Sequence, residues 1–252
     1  MIKLVEEENL TFEECNAINQ EVKDYLKKRE EKKYLSSYDL LNPTDKLLVL
    51  FHSKLIRKKA ESIEEEITRD LKVLESEGIG RLKALEHRLK SMSSILEKVV
   101  ADSRDYNGSY ERAANNICDA VRYTFIINQD LYTINLEKCL HKLEDMGYEV
   151  VDFKNKWDNK EYKGINVRIV SKNQEDIFEL QFHTPLSYRI KEGAKDNSTE
   201  GSTRDLYRVS RDKDAPKWLR LKADRLRRYL QSFIEIPNGV IGYNFESGIK
   251  RR

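Results

Sequence analysis

Polar and apolar side chains alternate along the segment 178–183 (FELQFH). In an extended strand, the three polar residues of this segment share one face of the sheet and the three apolar residues share the other. The polar set is Glu179, Gln181 and His183. An acid, an amide and an imidazole in one row could bind a cation and hydrogen-bond a ligand. The same pattern is typical of the solvated face of an antiparallel sheet. If residues 165–170 pair with this strand, Asn166 and Arg168 extend the polar face.

A second acid, Asp119, directly precedes a segment predicted to be a strand, and Arg122 follows it. An acid in this position is often only a cap or turn residue. Together with Glu179, however, it offers two carboxylates on neighbouring strands. Such a pair suits a hard divalent cation such as Mg²⁺, whose remaining ligands are waters and substrate phosphates.

A third cluster combines basic and hydroxyl side chains in the sequence RLKS at 88–91, with Lys98 following. The apolar spacing over 81–100 predicts a single helix, on which Lys90, Ser94 and Lys98 share a face. Such a face could clamp a triphosphate. Because the chain is 36% charged, an ordinary charged helix surface is the competing interpretation.

The polar loop 153–164 carries four lysines and, besides Phe153, two aromatic side chains. Loops of this composition make phosphate contacts in some proteins and are plain surface turns in others. The sequence contains no GxxxxGK[ST], GxGxxG or HExxH motif, so no single motif decides the chemistry. The lysines and aromatic residues of the loop are Lys154, Lys156, Lys160, Lys163, Trp157 and Tyr162.

The elements that would position these residues change character along the chain. Residues 1–100 have the apolar spacing of helices. Thr11 and Glu14 have capping-box spacing, and the pair Asn42-Pro43 is typical of a helix start. Residues 216–231 predict another amphipathic helix.

The middle of the chain is rich in β-branched and aromatic residues, which favour strands. We predict strands at 120–127, 148–153, 165–170 and 176–183, and a helix at 135–146 that stops at Gly147. The polar residues 171–175 are typical of a hairpin turn. This order predicts an α+β fold, with a small mixed β-sheet flanked by helices rather than a doubly wound sheet.

The composition excludes several classes of protein. No apolar run approaches the ~20 residues of a membrane span, and residues 1–30 lack the pattern of a signal peptide. Three cysteines without a CxxC pair argue against a disulfide scaffold and against a structural zinc site. We therefore expect a cytoplasmic protein with no membrane partner.

The net charge is only +2, but residues 204–252 hold 13 Lys and Arg against 6 Asp and Glu, which suits either solubility or nucleic-acid binding.

In order and combination, the four clusters resemble the synthetase domain of RelA/SpoT-type alarmone synthetases. The family's Arg-x-Lys-Ser motif is similar to residues 88–91, and its metal-binding Asp opens a strand as Asp119 does. Its loop from Phe-Lys-Asp to Asn-Gly-Tyr-Gln is similar to residues 153–166. Its Glu-Ile-Gln-Ile-Arg-Thr motif, the most specific of the set, is close to residues 179–184. The resemblance covers residues 75–210 and implies a nucleotidyltransferase-like core.

The resemblance implies a pyrophosphokinase that moves pyrophosphate from ATP to the 3′-hydroxyl of a nucleotide or of tRNA, with Mg²⁺ as cofactor. Asp119 and Glu179 would be the catalytic and metal-binding residues, and Glu179 could accept the proton of the acceptor. ATP would be bound by Arg88, Lys90, Ser91, Lys98 and Arg122. The acceptor would be bound by Lys154, Tyr162, Asn166, Gln181 and His183.

Three positions depart from the pattern of the family. Ile165 stands where guanosine-using members have a tyrosine that stacks on guanine. Arg122 lies three residues after Asp119 instead of five, and His183 replaces an arginine. GDP or GTP, ADP or ATP, and tRNA therefore stay open as acceptors. The isoleucine and the basic C-terminal segment favour the toxin-type members, whose activity would inhibit growth.

No His-Asp dipeptide occurs, so the metal-dependent hydrolase of longer family members is not expected. We predict a helical N-terminal extension at 1–75, a synthetase domain at 76–210 and a basic helix and tail at 211–252. A synthetase without a hydrolase would need control by an antitoxin or by an inhibitory segment such as 1–75. The protein could also form a homo-oligomer. The alternative interpretation is an inactive copy of the fold that binds nucleic acid or a protein partner.

Overall fold

The computed structural model describes residues 10–31, 36–173, 176–193 and 202–246, and within these ranges it has eight α-helices and five strands. The helices are α1 Phe12–Glu31, α2 Pro43–Ser76, α3 Met92–Ser103, α4 Tyr110–Asn115, α5 Tyr132–Asp145, α6 Pro185–Glu192, α7 Thr203–Arg211 and α8 Lys217–Ser232. The strands are β1 Arg81–Lys83, β2 Arg122–Ile126, β3 Glu149–Asn155, β4 Ile165–Val170 and β5 Ile177–His183. The predicted α+β fold class is confirmed.

Contacts divide the chain into two compact units. The sheet unit comprises the described residues of Leu35–Lys156, Gly164–Thr184 and Pro237–Arg252, and it contains all five strands with α2 to α5. The helical unit comprises those of Met1–Tyr34, Trp157–Lys163 and Pro185–Ile236. This division differs from the sequential ranges expected from composition, because α2 belongs with the sheet and the chain returns to the sheet unit after α8.

The five strands form one mixed sheet in the order β1-β2-β5-β4-β3. β2 and β5 run parallel, and the other neighbouring pairs are antiparallel. β4 and β5 therefore form the hairpin predicted from the sequence. Within its predicted turn, Gln174 and Glu175 lie outside the described residues.

The apolar face of the sheet packs against α2 through three aromatic side chains. Phe178 of β5 lies edge-on to Tyr123 of β2 and to Tyr148, with ring centroids 6.2 and 5.7 Å away. The Tyr123 hydroxyl donates to the carbonyl oxygen of Glu64, and the Tyr148 hydroxyl donates to Asp70, each at 2.8 Å. Anchoring this face to α2 explains why α2 is part of the sheet unit.

The helical unit is built on α1, α7 and α8. α1 begins with the predicted capping box, in which the N–H of Thr11 donates to Glu14 Oε2 at 2.8 Å and the N–H of Glu14 donates to Thr11 Oγ1 at 3.2 Å. In the described part of the chain, no helix combines the length and the apolarity of a membrane span. The buried apolar core of the unit includes Ile18, Val22, Leu206, Val209, Leu219 and Leu226.

Residues 81–91 form no α-helix, so the single helix predicted over 81–100 is wrong for its first half. The chain forms β1, turns at Ala84 in a left-handed conformation (φ 53°), and begins α3 only after Ser91. The Ser91 hydroxyl accepts a hydrogen bond from the N–H of Ser94 at 3.2 Å and so caps α3. Lys90 therefore lies outside α3 and does not share a helix face with Ser94.

Candidate active site

The polar face of the sheet presents its side chains in cross-strand rows. Paired residues of neighbouring strands lie side by side on the same face, so the register defines each row. The first row is Arg122, Glu179, Arg168 and Asp152; the second is Lys83, Thr124, Gln181, Asn166 and Lys154; the third is Arg81, Ile126 and His183. The prediction that the polar residues of β4 and β5 share one face is confirmed.

Glu179 lies in the first row between two arginines, Arg122 on β2 and Arg168 on β4. Its carboxylate accepts a hydrogen bond from Gln181 and makes no ion pair with either arginine. The side chain is only partly buried. The Glu179 carboxylate therefore has an amide, rather than either flanking arginine, as its hydrogen-bond partner.

Asp119 lies between two lysines just before β2. Lys90 Nζ is 2.6 Å from Asp119 Oδ2, and Lys98 Nζ is 3.3 Å from Oδ1. The Asp119 side chain is 17% exposed. Burial by itself raises the pKa of this carboxyl, but the ammonium groups of Lys90 and Lys98 outweigh burial and hold the pKa below its usual value. Asp119 is therefore ionised at neutral pH.

Backbone pairing and a helix cap place the two lysines beside Asp119. The N–H of Lys90 donates to the carbonyl oxygen of Ala120 at 2.9 Å, which fixes Lys90 next to the start of β2. Lys98 reaches Asp119 from α3, whose first turn is capped by Ser91. Ser91 thus has a structural role here, and its predicted contact with ATP stays a prediction.

Arg88 is held by α2, a contact that no sequence pattern predicted. Arg88 Nε and Nη2 donate to the two carboxylate oxygens of Glu64 at 2.5 and 3.0 Å, and Nη1 donates to the carbonyl oxygen of Leu85 at 2.9 Å. Arg57 Nη1 donates to the carbonyl oxygen of Lys90 at 2.8 Å. Glu64 and Arg57 are seven residues apart and so lie on one face of α2. α2 therefore supports both ends of the segment 88–90, a role that does not suit its part in the expected inhibitory segment 1–75.

Replacing Glu64 with Gln is expected to lower the free energy of unfolding at pH 7 by about 1–3 kcal/mol, because the Arg88 guanidinium loses its charged partner. Hydrogen bonds from Arg88 hold the pKa of Glu64 below its usual value. The stability from this pair is therefore present above the ordinary glutamate pKa and is lost as the pH falls through the lower folded-state value. Urea unfolding of both proteins at pH 7 and pH 3 should show the difference shrinking in acid. An equal difference at both pH values would contradict this explanation.

His183 is fully buried at the end of β5, and the backbone of Gly164 lies against its ring. A Cβ atom at position 164 would lie 2.8 Å from His183 Cε1 and 3.0 Å from the carbonyl oxygen of Phe182. Only glycine allows this approach. The next residue, Ile165, is fully buried and pairs with Phe182 on the apolar face. The position of the family's stacking tyrosine is therefore filled by an aliphatic residue of the core.

Replacing Gly164 with Ala is expected to lower the free energy of unfolding by about 1–3 kcal/mol, because the added methyl group overlaps the His183 ring. Thermal unfolding measures the loss. The loss caused by G164A should be smaller in an H183A background, measured as G164A/H183A against H183A, because the ring no longer meets the methyl group. A G164A protein as stable as wild type would show that the close approach does not constrain this position.

The predicted acceptor-binding residues are divided between the two units. Lys154, Asn166, Gln181 and His183 all lie on the polar face of the sheet. Tyr162 lies in the segment Trp157–Lys163 of the helical unit, where Lys163 Nζ donates to the Trp157 carbonyl oxygen at 2.8 Å. The role of Tyr162 at the acceptor stays a prediction.

The chemistry around Asp119 fits a divalent cation. Asp119 Oδ1 is shielded from solvent and faces the Lys98 ammonium at 3.3 Å. Glu179 supplies a second carboxylate on the strand beside β2. Among the described residues, no three His, Cys, Asp or Glu side chains cluster as a complete metal site. A cation bound by these two acids would therefore take its other ligands from water and substrate phosphates, as Mg²⁺ commonly does.

No protein-family model matches the chain, and no curated protein matches it. Solved structures do match. The complex between the type VI effector Tas1 and its immunity protein matches with 22% identity over 71% of this chain and 94% of the other, at a TM-score of 0.46. Small alarmone synthetase 1 from Bacillus subtilis, bound to its product pppGpp, matches with 10% identity over 70% and 87%, at 0.44.

A third match, smu.1046c from Streptococcus mutans UA159, has 9% identity over 73% of this chain and 87% of the other, at a TM-score of 0.37. All three identities are below 25% and all three TM-scores are below 0.5.

Proposed function

We propose that this protein is a RelA/SpoT-type pyrophosphokinase, which transfers pyrophosphate from ATP to the 3′-hydroxyl of a nucleotide or of tRNA. One observation carries the proposal. Ionised Asp119, paired with Lys90 and Lys98, lies at the entry to β2, and Glu179 lies on the strand beside β2. This arrangement combines cations that could bind phosphates with a carboxylate that makes no ion pair with either flanking arginine, which are the groups that such a transfer needs.

The ATP phosphates would bind on the β2 side of the site. Lys90 and Lys98 present two ammonium groups there, and the Arg122 guanidinium makes no hydrogen bond or ion pair with the described residues. Phosphoryl-type transfer is catalysed mainly by positioning the reactants and by neutralising their charge. Three cations fixed by backbone pairing and by α3 meet both requirements.

Glu179 would accept the proton from the 3′-hydroxyl. The 3′-oxygen then forms a bond to the β-phosphorus of ATP, while the bond from that phosphorus to the α–β bridging oxygen breaks. AMP leaves with the bridging oxygen, and the proton stays on the Glu179 carboxylate until it passes to solvent. A positioned general base contributes about 10²- to 10⁴-fold to such a step.

Asp119 and Glu179 are the residues that would hold Mg²⁺. When bound, the cation would offset negative charge on the phosphates and on the leaving oxygen. The pairing of Asp119 with two lysines keeps its carboxylate ionised and oriented for this purpose.

The acceptor would lie over the second and third rows, against Lys154, Asn166, Gln181 and His183. Ile165 is buried in the core, so an aromatic platform for guanine is missing at that position. Its absence supports an adenosine nucleotide or tRNA over GDP or GTP. Growth inhibition, and control of the activity by an antitoxin, are further proposals that follow from the toxin-type assignment.

The test is to mix the protein with ATP and Mg²⁺, add GDP, GTP, ADP or bulk tRNA one at a time, and assay AMP by chromatography. The reaction without an added acceptor reports transfer to ATP itself. AMP that forms with one acceptor supports the proposal and identifies the substrate. If no acceptor yields AMP, the proposal fails and the alternative, an inactive copy of the fold that binds a partner, is favoured.

A further inference from the structure

We infer that Arg168 binds the phosphate on the 5′ side of the accepting ribose, so that the site selects a phosphorylated acceptor. This inference rests on the proposed function and assigns a residue that the motifs leave out. It follows from three observations. Arg168 lies beside Glu179, its ion pair with Asp152 is long, and its guanidinium can bind two phosphate oxygens.

Two arginines flank Glu179 in the first row. Arg122 is its neighbour on β2, and Arg168 is its neighbour on β4, each about 4.8 Å away as strands are spaced. The Asp119 cluster lies at the start of β2 and so marks that side as the side of ATP. The β4 side is left for the acceptor, and Arg168 is the cation of the first row on that side.

Arg168 is available to a ligand. Its side chain is 43% exposed, and its ion pair is with Asp152, at 3.5 Å from Nε to Oδ2. The same carboxylate oxygen lies closer to Lys154, at 2.9 Å from Nζ. Asp152 therefore keeps a partner if Arg168 turns towards a phosphate, and no buried charge is left unpaired.

The spacing suits one nucleotide. A ribose ring separates the 3′-oxygen from the 5′-phosphate, a span comparable to the spacing between neighbouring strands. With the 3′-hydroxyl at Glu179, the phosphate lies one strand further along the row, at Arg168. The planar guanidinium can bind two phosphate oxygens with two parallel N–H groups, a fixed geometry that an ammonium group lacks.

The test compares R168M with R122M, the matched variant on the other side of Glu179. Initial rates of AMP release are measured while ATP and the preferred acceptor are varied separately. We expect R168M to raise the KM of the acceptor at least about tenfold with little change in the KM of ATP, because a charge-assisted phosphate contact is lost. R122M should do the reverse, and R168K should fall between wild type and R168M.

A second experiment keeps Arg168 and uses an acceptor that lacks the phosphate. The unphosphorylated nucleoside of the preferred base should react poorly, and R168M should not slow it further; for a tRNA acceptor, R168M should raise the KM of tRNA. Thermal unfolding of R168M should match wild type, because Asp152 retains Lys154.

If wild type releases AMP but R168M leaves the KM of the acceptor unchanged, this inference is wrong and the proposed function stands. If wild type releases no AMP with any acceptor, both are wrong.

Discussion

Replacing Glu179 with Gln is expected to reduce the rate of AMP release by about 10²- to 10⁴-fold, the usual contribution of a general base. The amide keeps the shape of the side chain but cannot take the 3′-hydroxyl proton. It also binds a divalent cation more weakly than a carboxylate does. The measurement is the initial rate at saturating ATP, acceptor and Mg²⁺.

The stability of E179Q should stay close to that of wild type. Glu179 is only partly buried and makes no ion pair with either flanking arginine, so the substitution breaks no charged pair within the described residues. E137Q, on an exposed position of α5, is a matched control for the loss of one carboxylate and should keep full activity. Turnover by E179Q at the wild-type rate would overturn the role of Glu179.

Replacing Asp119 with Asn is expected to affect both activity and stability. The rate of AMP release should fall at least about 100-fold, because Lys90 and Lys98 lose the carboxylate that orients them and the cation loses a ligand. The free energy of unfolding should fall by about 3 kcal/mol, because two nearby ammonium groups are left without their common anion. Urea unfolding and AMP assays measure the two effects separately.

A second variant separates charge balance from catalysis at Asp119. In D119N/K98M, one of the two unpaired ammonium groups is gone, so part of the lost stability should return while the activity stays low. Lys98 is 35% exposed, so its own removal should disturb the core little. If D119N is as stable as wild type, the lysine pairing does not contribute to folding, and if it is fully active, the assignment of Asp119 fails.

The sequence correctly predicted which residues of β4 and β5 share a face of the sheet, because strand periodicity is a local property. Alternation at 178–183 placed Glu179, Gln181 and His183 on one face, and the structure confirms this face and its extension to Asn166 and Arg168. Side chains in a strand repeat every two residues, so their direction follows from a few neighbours alone. Similarly, local capping signals predicted the starts of α1 and α2.

The region 81–91 shows where such local signals fail. Its leucines are spaced three and four apart, which suits a helix, yet the chain forms β1 by pairing with β2 more than forty residues away. An apolar residue lowers the free energy wherever it is buried, so the spacing alone does not decide between a helix and a strand that is completed by a distant partner. The N-cap preference of Ser91 was the local signal that marked the true start of α3.

Only the tertiary structure decided how the charged residues combine. The sequence determined which cations and acids the protein has and which of them share a strand face. Which glutamate of 64–66 would bind Arg88, and that Lys90 and Lys98 would meet at Asp119, depended on α2, α3 and β2 packing together. The reason is physical: a charge acts on whatever lies within a few ångströms, and in a folded chain those neighbours are set by packing rather than by sequence distance.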